Sequence, residues 1–300
     1  MLEDDKSTHR QNELSEYHKL GRSLLHDQTR AIDALIHDLA ELDNIEESVK
    51  IRIPILMLQA VGVSTHSVLT LTQERNMSIR DCFGIARSAF ETAVNAAFIS
   101  VSGDQMAEKA IRHMRQKRWR DPRRQGRMGD QLVTVSRNIN VEIDAIPQLR
   151  EALEEYTNKK GEEIRDWTPI SLERRVAAVS RQNHRAGLCL GAAMFSIYRP
   201  ASELLHGTYY GVNLFWQGSR DEPARRREEF DELWVTEHFV TLLTALFFSI
   251  SGAIHAISSA SNLSQHSQMQ DHLSNKLSTL ATMLSSFSTD KEHEFQVDRV

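Results

Sequence analysis

Apolar residues recur at helical spacing along almost all of this 300-residue chain, and no stretch alternates apolar and polar residues as a strand would. Glycine (13) and proline (6) are too sparse to interrupt that pattern often. The chain therefore reads as all-α, a multi-helix bundle of about seven to nine helices. Its 40% hydrophobic and 26% charged residues and mean hydropathy of -0.42 fit a soluble globular protein.

The first helix is expected over residues 11–40, with Leu14, Tyr17, Leu24, Leu25, Ile32, Leu35, Ile36 and Leu39 along one stripe. Asn44 and Glu47 have the spacing of a capping box, and Pro54 interrupts or kinks the helix that follows. Ser78 and Asp81 open a helix to about Val101, which Gly103 can stop, and Asp104 caps another that ends near Trp119. Residues 121–146 are expected to be irregular, and 147–165 a charged helix. An apolar helix over 186–198 is broken or bent at Pro200, and the longest apolar helix covers 227–261. A weaker helix over 269–287 precedes a polar tail expected to be disordered. The expected organisation is a peripheral N-terminal helix (1–44), a core helical domain (45–262) and a C-terminal helix with its disordered tail (263–300).

Residues 53–73 and 239–270 carry no formal charge. The first stretch contains Gln59, Ser64, Thr65, His66 and Ser67, which is too polar for a bilayer core. The second has a dense apolar part, 239–257, near the minimum spanning length of ~18–20 residues. A helix buried on all sides of a bundle accounts for both, and membrane insertion is not the expectation. His66 and His255, on these stretches, are expected to be hydrogen-bonded core residues. The acidic start Met-Leu-Glu-Asp-Asp-Lys lacks the basic and apolar regions of a secretory signal. Cys82 and Cys189, without a CxxC or Cys/His cluster, read as reduced core thiols, so a cytoplasmic location is expected.

Within two helical turns the chain carries Arg199, Ser202, Glu203 and His206 between apolar helices. Such residues need partners when buried, so their grouping signals either chemistry or a polar network that sets helix register. Histidine exchanges protons near neutral pH, arginine grips phosphate or carboxylate with a planar fork, and glutamate orients a histidine or acts as a base. Arg87 and Glu91, four apart, are the only charges over 82–100 and repeat the pattern. The nearby aromatics Tyr198, Tyr209, Tyr210, Phe215 and Trp216 read as core.

A basic run over 109–127 includes Arg112, Arg115, Lys117, Arg118, Arg120, Arg123 and Arg124, with Trp119 among them and Asp121 as its only acid. In a chain of net charge -5 this asymmetry is local. The run either neutralises nucleic-acid phosphates, with Trp119 stacking on a base, or pairs with the acidic 151–163 segment. There is no HExxH, no paired Glu-x-x-His and no phosphate-binding glycine loop, so neither metal nor cofactor is expected.

The order Arg87…Glu91, Trp167, Tyr198-x3-Ser202-x3-His206 resembles an uncharacterised bacterial family of all-helical proteins, over about 53–262. That resemblance implies a helical domain in which these polar residues converge, and it brings no activity. More loosely, Arg199-x6-His206 is similar to the arginine–histidine motif of the HEPN superfamily, helical ribonucleases of toxin, abortive-infection and CRISPR systems. This second resemblance implies RNA cleavage without a metal, by attack of a 2′-hydroxyl on the neighbouring phosphate across a homodimer. His206 would then move protons, Arg199 would hold the scissile phosphate and Glu203 would assist. Arg87, Glu91, Ser202, Tyr198 and Trp167 would support them, and the seven basic residues named above would bind RNA. The alternative is a non-catalytic interaction or sensor module whose cluster is structural or binds a small anionic ligand.

Overall fold

The computed structural model describes residues 2–42, 48–134, 143 and 146–297. Among the described residues the chain forms ten helices and one two-stranded hairpin. The helices are α1 (Leu2–Ala40), α2 (Val49–Leu71), α3 (Ile79–Ser102), α4 (Asp104–Arg120) and α5 (Leu149–Glu155). They continue with α6 (Leu172–Gln182), α7 (His184–Leu205), α8 (Tyr209–Gln217), α9 (Arg227–Ala260) and α10 (Ser264–Val297). Strands β1 (Gln125–Met128) and β2 (Gln131–Thr134) pair antiparallel and lie wholly exposed.

The all-α expectation holds, but the count exceeds the expected range by one. The extra helix is α8. Thr208 caps it by accepting a hydrogen bond from the backbone N–H of Gly211, directly after the turn at Gly207. Helix ends drawn from glycine and the first turn agree closely. Gly103, at φ 81, closes α3 in a conformation that costs a Cβ-bearing residue energy.

Proline marks no boundary here. Pro54 lies inside α2 and Pro200 inside α7, and both helices run on. Each proline removes one backbone hydrogen bond, a loss outweighed by the packing of buried residues that follow, Leu58 and Val61 in α2 and Ala201 and Leu204 in α7. The charged helix expected over 147–165 stops at Glu155. The reason is Asn158, whose side-chain carbonyl accepts from the backbone N–H of Lys160 and Glu162 at 2.9 Å each, winding the chain into a turn. The segment expected to be irregular contains the hairpin, and α10 extends to Val297, past the end expected near 287. The Asn44–Glu47 capping box lies outside the described residues.

Helix α9 is the central element, packed most extensively on α3 and α7 and also on α1 and α10. It passes through a π turn at Trp234–Phe239, where Trp234, Val235, His238 and Phe239 are all buried. Length and composition alone would let α2 and α9 cross a membrane, but 78% of the apolar window of α9 is buried in the bundle. Helix α2 shows more of itself, with Leu56 and Val63 exposed. Leu14, Leu25, Ile32 and Leu35 of α1 belong to the same core. Gln28 of α1 ties three helices together: its amide donates to Ser251 of α9 at 3.0 Å and Gln270 of α10 at 2.9 Å.

His255 is buried as expected, whereas His66 is exposed. Both cysteines are free.

Candidate functional site

Helices α3 and α7 lie side by side, with Leu205 against Gly84 and Tyr198 against Arg87. The guanidinium of Arg87 sits 4.4 Å from the Tyr198 ring centroid, and its Nε donates to Glu91 Oε1 at 2.9 Å. Glu91 and Tyr198 line a cavity of about 370 Å³ with the loop that leads into α6 and with Arg175 on α6 itself. Arg175 faces the Trp167 ring at 5.8 Å and donates from Nη1 to Asn95 Oδ1. Its Nε is buried and has no partner among the described residues. Burial pulls the Arg175 guanidinium below its ordinary pKa, against the opposite pull of Glu91 and Asp166.

Trp167 is held from behind. The Tyr156 hydroxyl lies 2.7 Å from the Trp167 carbonyl oxygen and 3.1 Å from that of Lys109, so one proton is shared between the loop and α4. A ring nitrogen of His113, also on α4, bonds the Arg165 carbonyl at 3.0 Å. The basic helix and the cavity loop therefore form one connected unit.

Three of the residues singled out in the sequence, Glu91, Trp167 and Tyr198, thus line one cavity, and Arg87 sits beside it against Glu91 and Tyr198. Arg175 and Asn95 join them and were not foreseen. Arg175 had a readable signal: it falls within the buried face of α6 marked by Leu172, Val176 and Val179. Asn95 had none, because an asparagine in an apolar helix shows its partner only after packing.

Arg199 and His206 do not enter this cavity. Both are exposed, seven residues apart at the C-terminal end of α7, hence on one side of the helix and about 10 Å apart along its axis. Ser202 is half-buried between them. Glu203 accepts a hydrogen bond from Thr208 Oγ1 at 2.7 Å, which makes it part of the α7–α8 corner. That corner is tight. A Cβ on Gly211 would sit 2.4 Å from the Glu203 carbonyl oxygen. Gly211→Ala is expected to cost about 2–3 kcal/mol by forcing the two backbones apart. Thermal unfolding checks this, and an unchanged midpoint would mean that the corner yields freely.

The flanking aromatics divide. Phe215 is buried and stacks on His238 with 5.2 Å between centroids, whereas Tyr209 and Tyr210 are exposed, contrary to the expectation of core residues.

Much of the basic run is paired with the acidic segment. Arg112 Nε donates to Glu155 Oε2 at 2.6 Å, Lys109 lies 3.3 Å from the same carboxylate, and Lys117 bonds Glu163. The hydrogen bond from Lys117 holds the Glu163 carboxyl below its ordinary pKa. Arg115 bonds the Gln148 amide, Arg120 bonds Thr157 Oγ1 at 2.6 Å, and Arg124 pairs with Asp121 at 2.6 Å. Arg123 stacks over Trp119 at 3.6 Å, so one ring face is already covered. Arg118 is exposed. Trp119, Arg120, Arg123 and Arg124 border a second hollow of about 480 Å³. Among the described residues no three His, Cys, Asp or Glu side chains are grouped so as to hold a metal ion.

Fold and site together define an all-helical protein with a polar, aromatic-walled cavity between α3, α6 and α7. The chain belongs to DUF5677, a family of unknown function, whose model matches residues 52–223. That span holds the cavity, the basic helix and the Arg199–Glu203–His206 set, and stops before α9. No curated protein and no solved structure matches the chain.

Proposed function

We propose that this protein is a metal-independent endoribonuclease or RNA-binding effector of HEPN type, with a role in phage defence or a toxin system. The observation that carries the reading is the exposure of Arg199 and His206 on one side of α7. A purely structural pair would be buried and bonded, whereas these two face solvent at a spacing that lets both reach one phosphate. Arg199 neutralises the phosphate and His206 moves a proton as the neighbouring 2′-hydroxyl attacks. Glu203 acts by holding the α7–α8 corner. Arg118, Arg120, Arg123 and Arg124 track the RNA backbone, while Arg112 and Lys117 hold carboxylates.

Attack and departure need a base and an acid, and a second copy supplies the second histidine. The same side of α7 carries Phe195, 92% exposed, and Leu188, 60% exposed, which favours a homodimer through this face.

The experiment compares RNA cleavage by purified wild type, Arg199→Ala and His206→Ala, with chelator present. Cleavage by the wild type alone, at equal melting temperatures, is the expected result. Equal cleavage by His206→Ala, or none by the wild type, would refute the nuclease. A sensor reading has one observation in its favour, the formed cavity at Trp167 and Arg175. There the protein binds a small ligand and cuts nothing.

A further inference from the structure

We infer that the cavity bounded by Glu91, Trp167, Arg175 and Tyr198 takes one unpaired guanine base of an RNA strand. The inference deepens the RNA reading and rests on it. At about 370 Å³ the cavity lies at the small end of ligand pockets, large enough for one base and too small for a helix or a duplex groove. Trp167 and Tyr198 are among its lining residues, and aromatic side chains suit a flat ligand.

Charge narrows the choice. Glu91, Asp166 and Glu173 all line the cavity, so a free anion would meet three carboxylates around a single arginine. A neutral ligand with both donors and acceptors meets no such repulsion. Glu91 offers Oε2, which has no partner among the described residues, since Arg87 bonds Oε1. Arg175 lines the same cavity with a guanidinium held at Nη1 by Asn95. Guanine is the base that matches both. Its N1–H and N2 amine give a carboxylate two donors on one edge, and its O6 and N7 give a guanidinium two acceptors. Adenine and cytosine each present one amine donor on that side, and uracil offers a single N–H between two carbonyls.

Position links the pocket to the strand. Tyr198 directly precedes Arg199, and the Trp167 loop is bonded through Tyr156 and His113 to α4, which carries the basic run. The cavity loop is thereby fixed to the basic helix, and α7 carries Arg199 one residue beyond the cavity wall. The role of the cavity would be to select the nucleotide beside the cut.

The test titrates the full-length protein with guanosine, adenosine, cytidine and uridine by calorimetry. Guanosine should bind at least tenfold tighter than the other three. Glu91→Gln and Arg175→Gln should each weaken guanosine about tenfold while leaving the weak binding of uridine unchanged. Equal affinity for all four nucleosides, or guanosine affinity untouched in both variants, would overturn the inference. If a variant fails to fold, the wild-type preference decides. Free nucleosides hold no phosphodiester, so the two proposals fail separately. Guanosine selection without RNA cleavage removes the nuclease and keeps the pocket, and cleavage without guanosine selection does the reverse.

Discussion

Trp234→Ala is expected to destabilise the protein by about 4 kcal/mol. Trp234 is fully buried at the π turn of α9 and stacks on Phe239 with 5.6 Å between centroids. The His18 ring meets it edge-on at 4.9 Å, and its indole N–H donates to the Asn76 carbonyl at 2.9 Å. Truncation would open a cavity between α1 and α9 and remove the bond to the chain that leads into α3. The unfolding midpoint should fall by roughly 10 °C. Trp234→Phe keeps the stacking, loses the hydrogen bond and some volume, and should cost about 1–2 kcal/mol. Chemical denaturation of both variants measures the difference. A loss below about 1 kcal/mol for the alanine variant would show that the π turn collapses onto the vacancy.

Acidification should unfold the protein earlier than its carboxylates alone would. Burial pushes His18 down to about 4, and the Arg22 and Arg75 charges add to that shift, against the hydrogen bond from its Nε2 to the Thr72 carbonyl at 2.8 Å. His238 and His255 are lowered too, first by burial. A histidine with a depressed folded-state pKa leaves the unfolded chain binding more protons. Stability is therefore intact above pH ~6.5, falls as pH drops from there toward 4, and levels off for this group below that. For His18 the full loss is about 3 kcal/mol. Paired carboxylates such as Glu163 lose their contribution only at lower pH, so the onset separates the two causes. Melting temperatures at pH 7.5 and 5.0 test the expectation. His18→Gln, which can still donate to Thr72, should flatten the dependence in that interval. An equally steep fall in the variant would assign the effect to other groups.

Most of the architecture was legible because its signals are local. The stripe of α1, the stop at Gly103 and the apolar run of α9 each follow from residues a turn or two apart. The failures were also local signals, but weaker ones than the packing around them. Pro54 and Pro200 suggested breaks, yet each lies in a helix that packs into the core beyond it, through Leu58 and Val61 in α2 and through Ala201 and Leu204 in α7. Asn158 ended α5 through its own side chain, a competition with the helix that charge patterning does not show. Tyr209 and Tyr210 look like core residues in composition, but the turn at Gly207 redirects α8 and leaves them in water.

For the candidate site the division is sharper. Arg87 with Glu91 was visible as a pair, because four residues of helix bring two side chains together whatever else the chain does. That Tyr198 caps this pair, that Trp167 and Arg175 close a cavity beside it, and that Glu203 turns to Thr208 could not be read in the same way. Those contacts join helices distant in the chain, and they depend on how far each helix is rotated and slid against its neighbours. Hydrophobic period sets which side of a helix faces inward and says nothing of its axial offset. Side-chain interdigitation across α3, α6, α7 and α9 sets that offset, and with it which polar groups meet.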